Sequence, residues 1–214
     1  MTSIARLDQV KVSLGGQTIL SDLDFDLAPG EVAGVVGPNG SGKTTFIRVL
    51  ATLIRVDQGS GAVLGADLST NDVYDVRRSI GLMTHTPALL PRLSLRENLD
   101  HACRLSGVDT DRVDGALHTV GLEEVSGRLA EASSFGMKRR LEVARLLLTG
   151  PRLLLLDEAA SGLDSAAREL ISALIDRIVT RAGAVVLVSH DRAQLDETCQ
   201  IVSHLSLGRL EPAS

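Results

Sequence analysis

The sequence has few aromatic residues and no long apolar run. Among its 214 residues, aromatics make up 2% and tryptophan is absent, whereas hydrophobic residues account for 44%. A core of this composition must be built from Leu, Val, Ile and Ala, which suits a parallel sheet covered by helices. No apolar run approaches the roughly 18 residues of a membrane-spanning helix, and the N-terminus lacks the pattern of a secretory signal. One α/β domain that does not cross a membrane by itself is therefore expected.

The chain also lacks an excess of positive charge and any cysteine motif. Its formal net charge is −5, whereas nucleic-acid binding calls for a basic surface and stacking aromatics. A nucleic-acid partner is therefore not expected. Cys103 and Cys199 have no CxxC or Cys/His spacing nearby, so we predict buried reduced thiols rather than metal ligands. Reduced thiols in turn favour a cytoplasmic location.

A complete phosphate-loop motif stands near the start of the chain. Residues 37–45 read GPNGSGKTT, which fits G-x-x-x-x-G-K-[ST]. An apolar run over residues 31–36 predicts a strand before it, and residues 46–54 predict a helix after it, with one apolar face reaching Leu53. The glycines let backbone N–H groups surround a phosphate, and the helix N-terminus adds its positive end.

This loop predicts a nucleotide site. Lys43 is expected to reach the β- and γ-phosphates, and the Thr44 hydroxyl is expected to hold Mg²⁺. The predicted nucleotide-binding residues of the loop are Gly37, Asn39, Gly40, Ser41, Gly42, Lys43, Thr44 and Thr45.

Two carboxylates follow a run of four leucines over residues 153–156. Such a strand is buried on both faces and delivers Asp157 and Glu158 to the edge where parallel sheets bind ligands. We predict that Asp157 completes the magnesium shell through water, and that Glu158 orients and deprotonates the attacking water. A further strand over residues 184–188 leads to His190, a candidate contact of the γ-phosphate.

The other segments separate into a β part and a helical part. Alternation around Leu23, Phe25 and Leu27 predicts a strand with one buried face, and residues 59–68 and 80–84 predict further short strands. From residue 94 the pattern becomes helical.

Three helices are predicted in that second part. Ser94 and Glu97 form a capping box before a helix whose apolar positions run from Leu95 to Leu105, and which Gly107 ends. A second helix is predicted over about 111–120. The third follows residues 133–137, has Leu141, Ala144 and Leu148 inward, and ends at Gly150.

In order and content, these motifs resemble the ATP-binding cassette ATPases of ABC transporters over about residues 4–210. Added to the two motifs above, the resemblance rests on a switch loop at His85, a signature segment at 133–137, a D-loop at 161–164 and a switch histidine at His190. It implies a P-loop NTPase α/β core, mainly a parallel sheet flanked by helices, with an antiparallel β subdomain and an inserted helical subdomain. A single domain over residues 1–214 is expected. Its core and β subdomain would occupy about residues 1–93 and 151–214, and its helical subdomain would occupy about residues 94–150.

The resemblance implies an ATPase that powers transport, with ATP and Mg²⁺ as ligands. Two copies, or this chain and a homologous ATPase subunit, would pack head to tail, with ATP between the phosphate loop of one and Ser134, Gly136 and Asp164 of the other. Catalysis would involve Glu158, His190 and His85. A separate integral membrane subunit is implied, with this chain on the inner face of the cytoplasmic membrane and residues 87–95 as the docking segment.

Four residues depart from the family pattern. His85 stands where glutamine is usual, Phe135 replaces the first signature glycine, Ala159 replaces a proline, and Leu14 replaces an aromatic that stacks on adenine. Residues 80–90 resemble haem-exporter ATPases of cytochrome c maturation, and drug- or lipid-export ATPases are an alternative.

Two functions outside transport remain as alternatives. A soluble cassette protein acting on ribosomes or DNA ends is disfavoured, because the chain has one cassette and no sustained heptads. A regulatory nucleotide binder with little hydrolysis is the other, because the altered signature at Phe135 could prevent turnover.

Overall fold

The computed structural model describes residues 3–158 and 165–212. Strands and helices alternate through most of these residues, as the sequence predicts for an α/β fold. The strands are β1 (Ala5–Leu14), β2 (Gln17–Leu27), β3 (Val32–Val36), β4 (Gln58–Val63), β5 (Ala66–Asp67), β6 (Ile80–Met83), β7 (Leu153–Asp157), β8 (Ala184–Ser189), β9 (Ile201–Ser206) and β10 (Arg209–Pro212).

The α-helices lie mainly between the strands of the larger sheet. They are α1 (Lys43–Leu50), α2 (Val73–Val76), α3 (Leu95–Ser106), α4 (Val113–Thr119), α5 (Phe135–Thr149), α6 (Ser165–Thr180) and α7 (Arg192–Thr198). Within the part of the chain that the structure describes, no helix is long and apolar enough to span a membrane.

Two sheets organise the described residues. The smaller is antiparallel with the order β2-β1-β4-β5, and the larger has the order β10-β9-β3-β8-β7-β6. In the larger sheet, β3 runs parallel to β8 and β9, and β7 runs parallel to β6 and β8, whereas β10 joins antiparallel to β9. Because parallel strands end at the same edge, the loops after β3, β6, β7 and β8 gather there.

Aliphatic packing holds the two sheets to their helices. The strand β7 is buried along its whole length, as its leucines predict. In β2 the alternation also holds, with Leu23 and Leu27 buried, Phe25 partly buried, and Asp22, Asp24 and Asp26 exposed. Phe25 meets Phe46 of α1 edge to face, with ring centroids 5.0 Å apart, so one of the few aromatic contacts joins the antiparallel sheet to the phosphate-loop helix.

Three helices stand between β6 and β7, in the region predicted to be helical. The helix α3 begins with the predicted capping box at Ser94 and ends at Gly107, whose φ of 69° lies in the left-handed region. The prediction that Leu105 lies on the inward face is wrong, because its side chain is 73% exposed, and Cys103 is buried instead. The second helix starts later than predicted, since residues 110–112 form a 3-10 turn before α4.

The helix after the phosphate loop is shorter than predicted. It ends at Leu50 rather than near residue 54, and Thr52 then has a φ of 60°, which takes the chain out of the helix. Leu53 is therefore 54% exposed and is not part of the inward face. Cys103 is buried as predicted, whereas Cys199, at the end of α7, is partly buried.

Candidate functional site

The phosphate loop lies between the central strand β3 and the N-terminus of α1. Lys43 is 8% exposed, and its Nζ donates to the carbonyl oxygens of Gly37 and Pro38 at 2.7 and 2.9 Å. The ammonium group is therefore held inside the loop by neutral acceptors. A phosphate oxygen would be a stronger partner for this charge. The Ser41 hydroxyl oxygen is buried and has no hydrogen-bond partner among the described residues, so the loop holds a second polar atom that a ligand could satisfy.

Two glycines of the loop cannot be replaced without moving the backbone. A Cβ on Gly37 would lie 2.2 Å from the carbonyl oxygen of Leu205 in β9. Gly42, which precedes α1, has a φ of 106°, and its Cβ would lie 2.9 Å from the Leu20 side chain. The motif therefore meets a steric need in this fold, because the loop packs closely against β9 and β2.

Thr44 joins the phosphate loop to the end of β7. Its hydroxyl donates to Oδ2 of Asp157 at 3.1 Å. Asp157 is 5% exposed, and burial raises the pKa of its carboxyl above the ordinary value, while the Thr44 hydroxyl, His85 and Lys43 act to lower it. The two oxygens predicted to serve magnesium are therefore adjacent.

Glu158 and His190 meet at the same edge of the sheet. Nδ1 of His190, which follows β8, lies 2.8 Å from Oε2 of Glu158, and a proton on Nδ1 would be donated to that carboxylate. The His190 side chain is 68% exposed and that of Glu158 is 23% exposed. Both groups can therefore be reached by a ligand and by water from the loop side.

The other predicted site residues lie on neighbouring elements. His85 follows β6, the strand beside β7, and is exposed. Ser134 caps α5, where its hydroxyl accepts the N–H of Met137 at 3.2 Å. Gly136 lies in the first turn, and a Cβ there would meet nothing within 4 Å. These two residues thus present an open helix N-terminus. Asp164 lies outside the described residues, as does Ala159.

The comparisons with known proteins agree with this geometry. The sequence matches the ABC transporter family over residues 20–161. The chain belongs to this family. It is 35% identical, over 98% of its length, to the Nod factor export ATP-binding protein I of Rhizobium etli, and it covers 67% of that protein. It is also 35% identical, over 95% of its length, to the daunorubicin resistance ATP-binding protein DrrA3 of Streptomyces coeruleorubidus, of which it covers 66%.

The chain spans about two thirds of the length of both relatives. A solved dimeric post-hydrolysis state of an ATP-binding cassette, bound to ADP and Pi, resembles it with a TM-score of 0.85 and 24% identity, over 97% of this chain and 96% of that one. The fold is therefore the P-loop NTPase fold of ABC ATPases, as predicted. As a member of the ABC transporter family, the chain is an ATP-binding ATPase domain.

Two residues at which this ABC transporter ATPase departs from the family pattern, Leu14 and Phe135, have exposed side chains. Leu14 ends β1 and is 42% exposed, beside the turn at Gly15 and Gly16. Phe135 opens α5 and is 47% exposed, with its ring 5.1 Å from the Arg139 guanidinium carbon. The first presents an aliphatic surface to solvent, and the second presents an aromatic ring where glycine is usual.

The sequence interpretation did not include a buried ion pair on α5. Arg139 and Glu142 are 1% and 0% exposed, and they contact the loop that carries His85. Their spacing of three residues among the buried, mostly apolar positions of α5 was the signal that could have revealed the pair.

Proposed function

We propose that this chain is the ATP-hydrolysing subunit of an exporter, acting with a separate integral membrane subunit. The observation that carries the proposal is the hydrogen bond from Thr44 to Asp157, because it brings the phosphate loop against the carboxylates at the end of β7. The names of the two relatives, which concern Nod factor export and daunorubicin resistance, favour an organic drug-like or lipid-like cargo. The haem-exporter alternative is supported by the resemblance of residues 80–90.

In the proposed reaction, Lys43 leaves the loop carbonyls and contacts the β- and γ-phosphates of ATP. Glu158 accepts a proton from a water molecule whose oxygen attacks the γ-phosphorus, the bond to the bridging oxygen breaks, and ADP and phosphate leave. His190, through its contact with Glu158, would hold that carboxylate and also contact the γ-phosphate. The exposed His85 would face the same phosphate from the neighbouring loop.

Thr44 and Asp157 fit a magnesium ion by the chemistry of their donors. Both offer oxygen atoms, which Mg²⁺ prefers, and burial leaves Asp157 with a raised pKa that a cation would lower. The described residues contain no group of three or more His, Cys, Asp or Glu side chains suited to a metal, so the other ligands would be phosphate oxygens and water. When bound, Mg²⁺ neutralises charge on the β- and γ-phosphates.

A complete site requires a second subunit. Ser134 and Gly136 lie at the N-terminus of α5, an anion-binding element, and in the proposed head-to-tail dimer they face the γ-phosphate held by the partner. Asp164 is proposed as a further nucleotide-binding residue from the sequence resemblance. The partner is a second copy or a homologous ATPase subunit. The single domain would divide into core and β subdomain at about 1–93 and 151–214 and helical subdomain at about 94–150. It would lie on the inner face of the cytoplasmic membrane, in the cytoplasm.

The membrane subunit would dock on residues 87–95. Leu90 is 43% exposed on this segment, whereas Leu95 is 0% exposed at the start of α3. Leu90 is therefore available to a partner, and Leu95 is not.

A variant of Lys43 tests the nucleotide site. Lys43→Ala removes the main cationic contact of the triphosphate, so we expect ATP affinity to fall by about 100-fold or more with an unchanged circular dichroism spectrum. The matched control is Lys11→Ala, in β1 of the antiparallel sheet, which should bind ATP like the parent. Parent-like binding by a folded Lys43→Ala chain would refute the site.

The alternative of a regulatory binder is favoured by Phe135 alone. If the ring keeps a partner's γ-phosphate away from the α5 N-terminus, ATP would bind without turnover. Steady-state hydrolysis by the purified complex with its membrane subunit separates the two functions.

A further inference from the structure

Two opposite charges are buried on α5, the helix that begins at the signature segment. Arg139 is 1% exposed and Glu142 is 0% exposed. Nη1 of Arg139 donates to Oε2 of Glu142 at 3.0 Å. Since an unpaired buried charge strongly destabilises a fold, each residue compensates the other. Burial also raises the pKa of the Glu142 carboxyl, and the Ala88 N–H, Arg139 and Arg145 oppose this rise.

The same pair is hydrogen-bonded to the loop that follows β6. The Arg139 guanidinium donates to the carbonyl oxygen of Thr84 and, at 2.6 Å, to that of His85. Glu142 accepts the N–H of Ala88 through Oε1 at 3.0 Å. Two carbonyl groups and one N–H of the loop over residues 84–88 are thus hydrogen-bonded to the side chains of Arg139 and Glu142, which lie within one turn of α5. The planar guanidinium carries its donors on two separate terminal nitrogens, so that one reaches Thr84 and Glu142 while the other reaches His85.

The signature segment contacts this pair through Phe135. The guanidinium carbon of Arg139 lies 5.1 Å from the centre of the Phe135 ring, within the range of a cation–π contact. Phe135 is the first residue of α5 and is 47% exposed. One face of the ring therefore covers the arginine while the rest is accessible to whatever approaches the helix N-terminus.

We propose that Arg139 is a positioning residue that, paired with Glu142 and covered by Phe135, fixes the backbone of residues 84–88 and thereby the location of His85. This inference rests on the proposed function, in which His85 faces the nucleotide. The signature segment of the chain and the loop that carries His85 then form one rigid unit. A ligand that displaces Phe135 would shift His85 through a single side chain.

The test removes both members of the pair, because removing Glu142 alone leaves Arg139 buried and unpaired. Arg145, whose charge also interacts with Glu142, keeps its hydrogen bond to the carbonyl oxygen of Leu82 at 3.0 Å. In the double variant Arg139→Met, Glu142→Met, the chain should stay folded, and the backbone amides of residues 84–86 and of Ala88, whose N–H loses its Glu142 acceptor, should exchange hydrogen at least about tenfold faster than in the parent. For ATP hydrolysis by the full chain, kcat should fall by about tenfold or more, with KM within about twofold, because Lys43 and the phosphate loop are untouched.

The matched control is Arg140→Met. Arg140 is adjacent in sequence, but its guanidinium donates to the carbonyl oxygens of Val120 and Gly121 at 3.1 and 3.3 Å, away from the His85 loop. The control should leave both the loop exchange and kcat near the parent values. Parent-like exchange in the double variant, or an equal loss of kcat in the control, would overturn the proposal.

A conservative variant keeps the test valid if the double variant does not fold. Arg139→Lys retains a charge beside Glu142, but its single nitrogen cannot replace the two terminal guanidinium nitrogens that donate separately to Thr84 and His85, so we expect a folded chain with faster loop exchange and a reduced kcat. Parent values for this variant would overturn the proposal. If the parent itself does not hydrolyse ATP, the proposed function fails, and the exchange measurement still decides whether Arg139 holds the loop.

Discussion

Glu158 adopts a backbone conformation that few non-glycine residues use. Its φ is 53°, in the left-handed region, and its N–H donates to the carbonyl oxygen of Val188 at 2.9 Å. The turn at this residue directs two consecutive carboxyl groups to different partners, since Asp157 contacts Thr44 and Glu158 contacts His190. Such conformations are enriched at functional sites, which accords with the catalytic role proposed for Glu158.

Leu14 carries a prediction about nucleotide preference. A ring stacked on a base contributes about 1 to 3 kcal/mol in other base-binding proteins, and a leucine offers only dispersion. If Leu14 faces the base, ATP and GTP should bind with similar affinity, and Leu14→Tyr should tighten ATP binding severalfold with nearly unchanged kcat. Competitive titration of the two nucleotides measures both effects.

The competing explanation for the base site is another side chain, such as Tyr74. That ring already lies 4.5 Å from the Arg77 guanidinium carbon and is 56% exposed. Strong preference for ATP in the parent, or no gain from the tyrosine variant, would favour this explanation. Tyr74→Leu is then the variant that should weaken ATP binding.

At the scale of elements, local signals predicted most of the fold. The period-two pattern of β2, the leucines of β7 and the capping box of α3 depend on neighbouring residues, and each was found where predicted. Leu53 was placed wrongly because periodicity does not show where a helix ends, and Leu105 because periodicity does not show where a helix stops packing against a neighbour. The Arg139–Glu142 contact with the His85 loop joins residues far apart in sequence, so no local pattern could give it.

The capping box of α3 has a predictable pH dependence. The Glu97 carboxylate accepts the N–H of Ser94 at 2.7 Å. This bond is the main cause of a lowered pKa of Glu97, and the hydrogen bond with the Ser94 side chain is the second cause. A lowered pKa means that the carboxylate stabilises the fold at neutral pH and that this stabilisation is lost as pH falls through the lowered value. Glu97→Ala should therefore have a lower melting temperature than the parent at pH 7. The difference between the two melting temperatures should become smaller below about pH 4.

Thermal unfolding of both chains across this pH range measures the effect. Glu131→Ala, at an exposed glutamate outside the helix, is the control and should change little at any pH. A Glu97→Ala difference that is constant with pH would mean that the carboxylate charge does not stabilise α3.

At the scale of the whole molecule, the sheet gathers one half of a nucleotide site and α5 offers another. The residues proposed to hold phosphate and water follow β3, β6, β7 and β8, and the helix end proposed to bind the anion belongs to the helical part between β6 and β7. Sequence order predicted this separation through the family resemblance, whereas the distance between two subunits could not be predicted from one chain. In the proposed dimer, ATP is hydrolysed at a site that two subunits complete.

Steady-state hydrolysis by Glu158→Gln tests this account most directly. The amide cannot accept the proton of the attacking water, so ATP should bind with parent affinity, turnover should fall by about 100-fold or more, and the chain should elute as a dimer in ATP and Mg²⁺. Glu169→Gln, at an exposed position on α6, should hydrolyse ATP like the parent. Hydrolysis at the parent rate by Glu158→Gln would contradict the assignment of Glu158 as the general base.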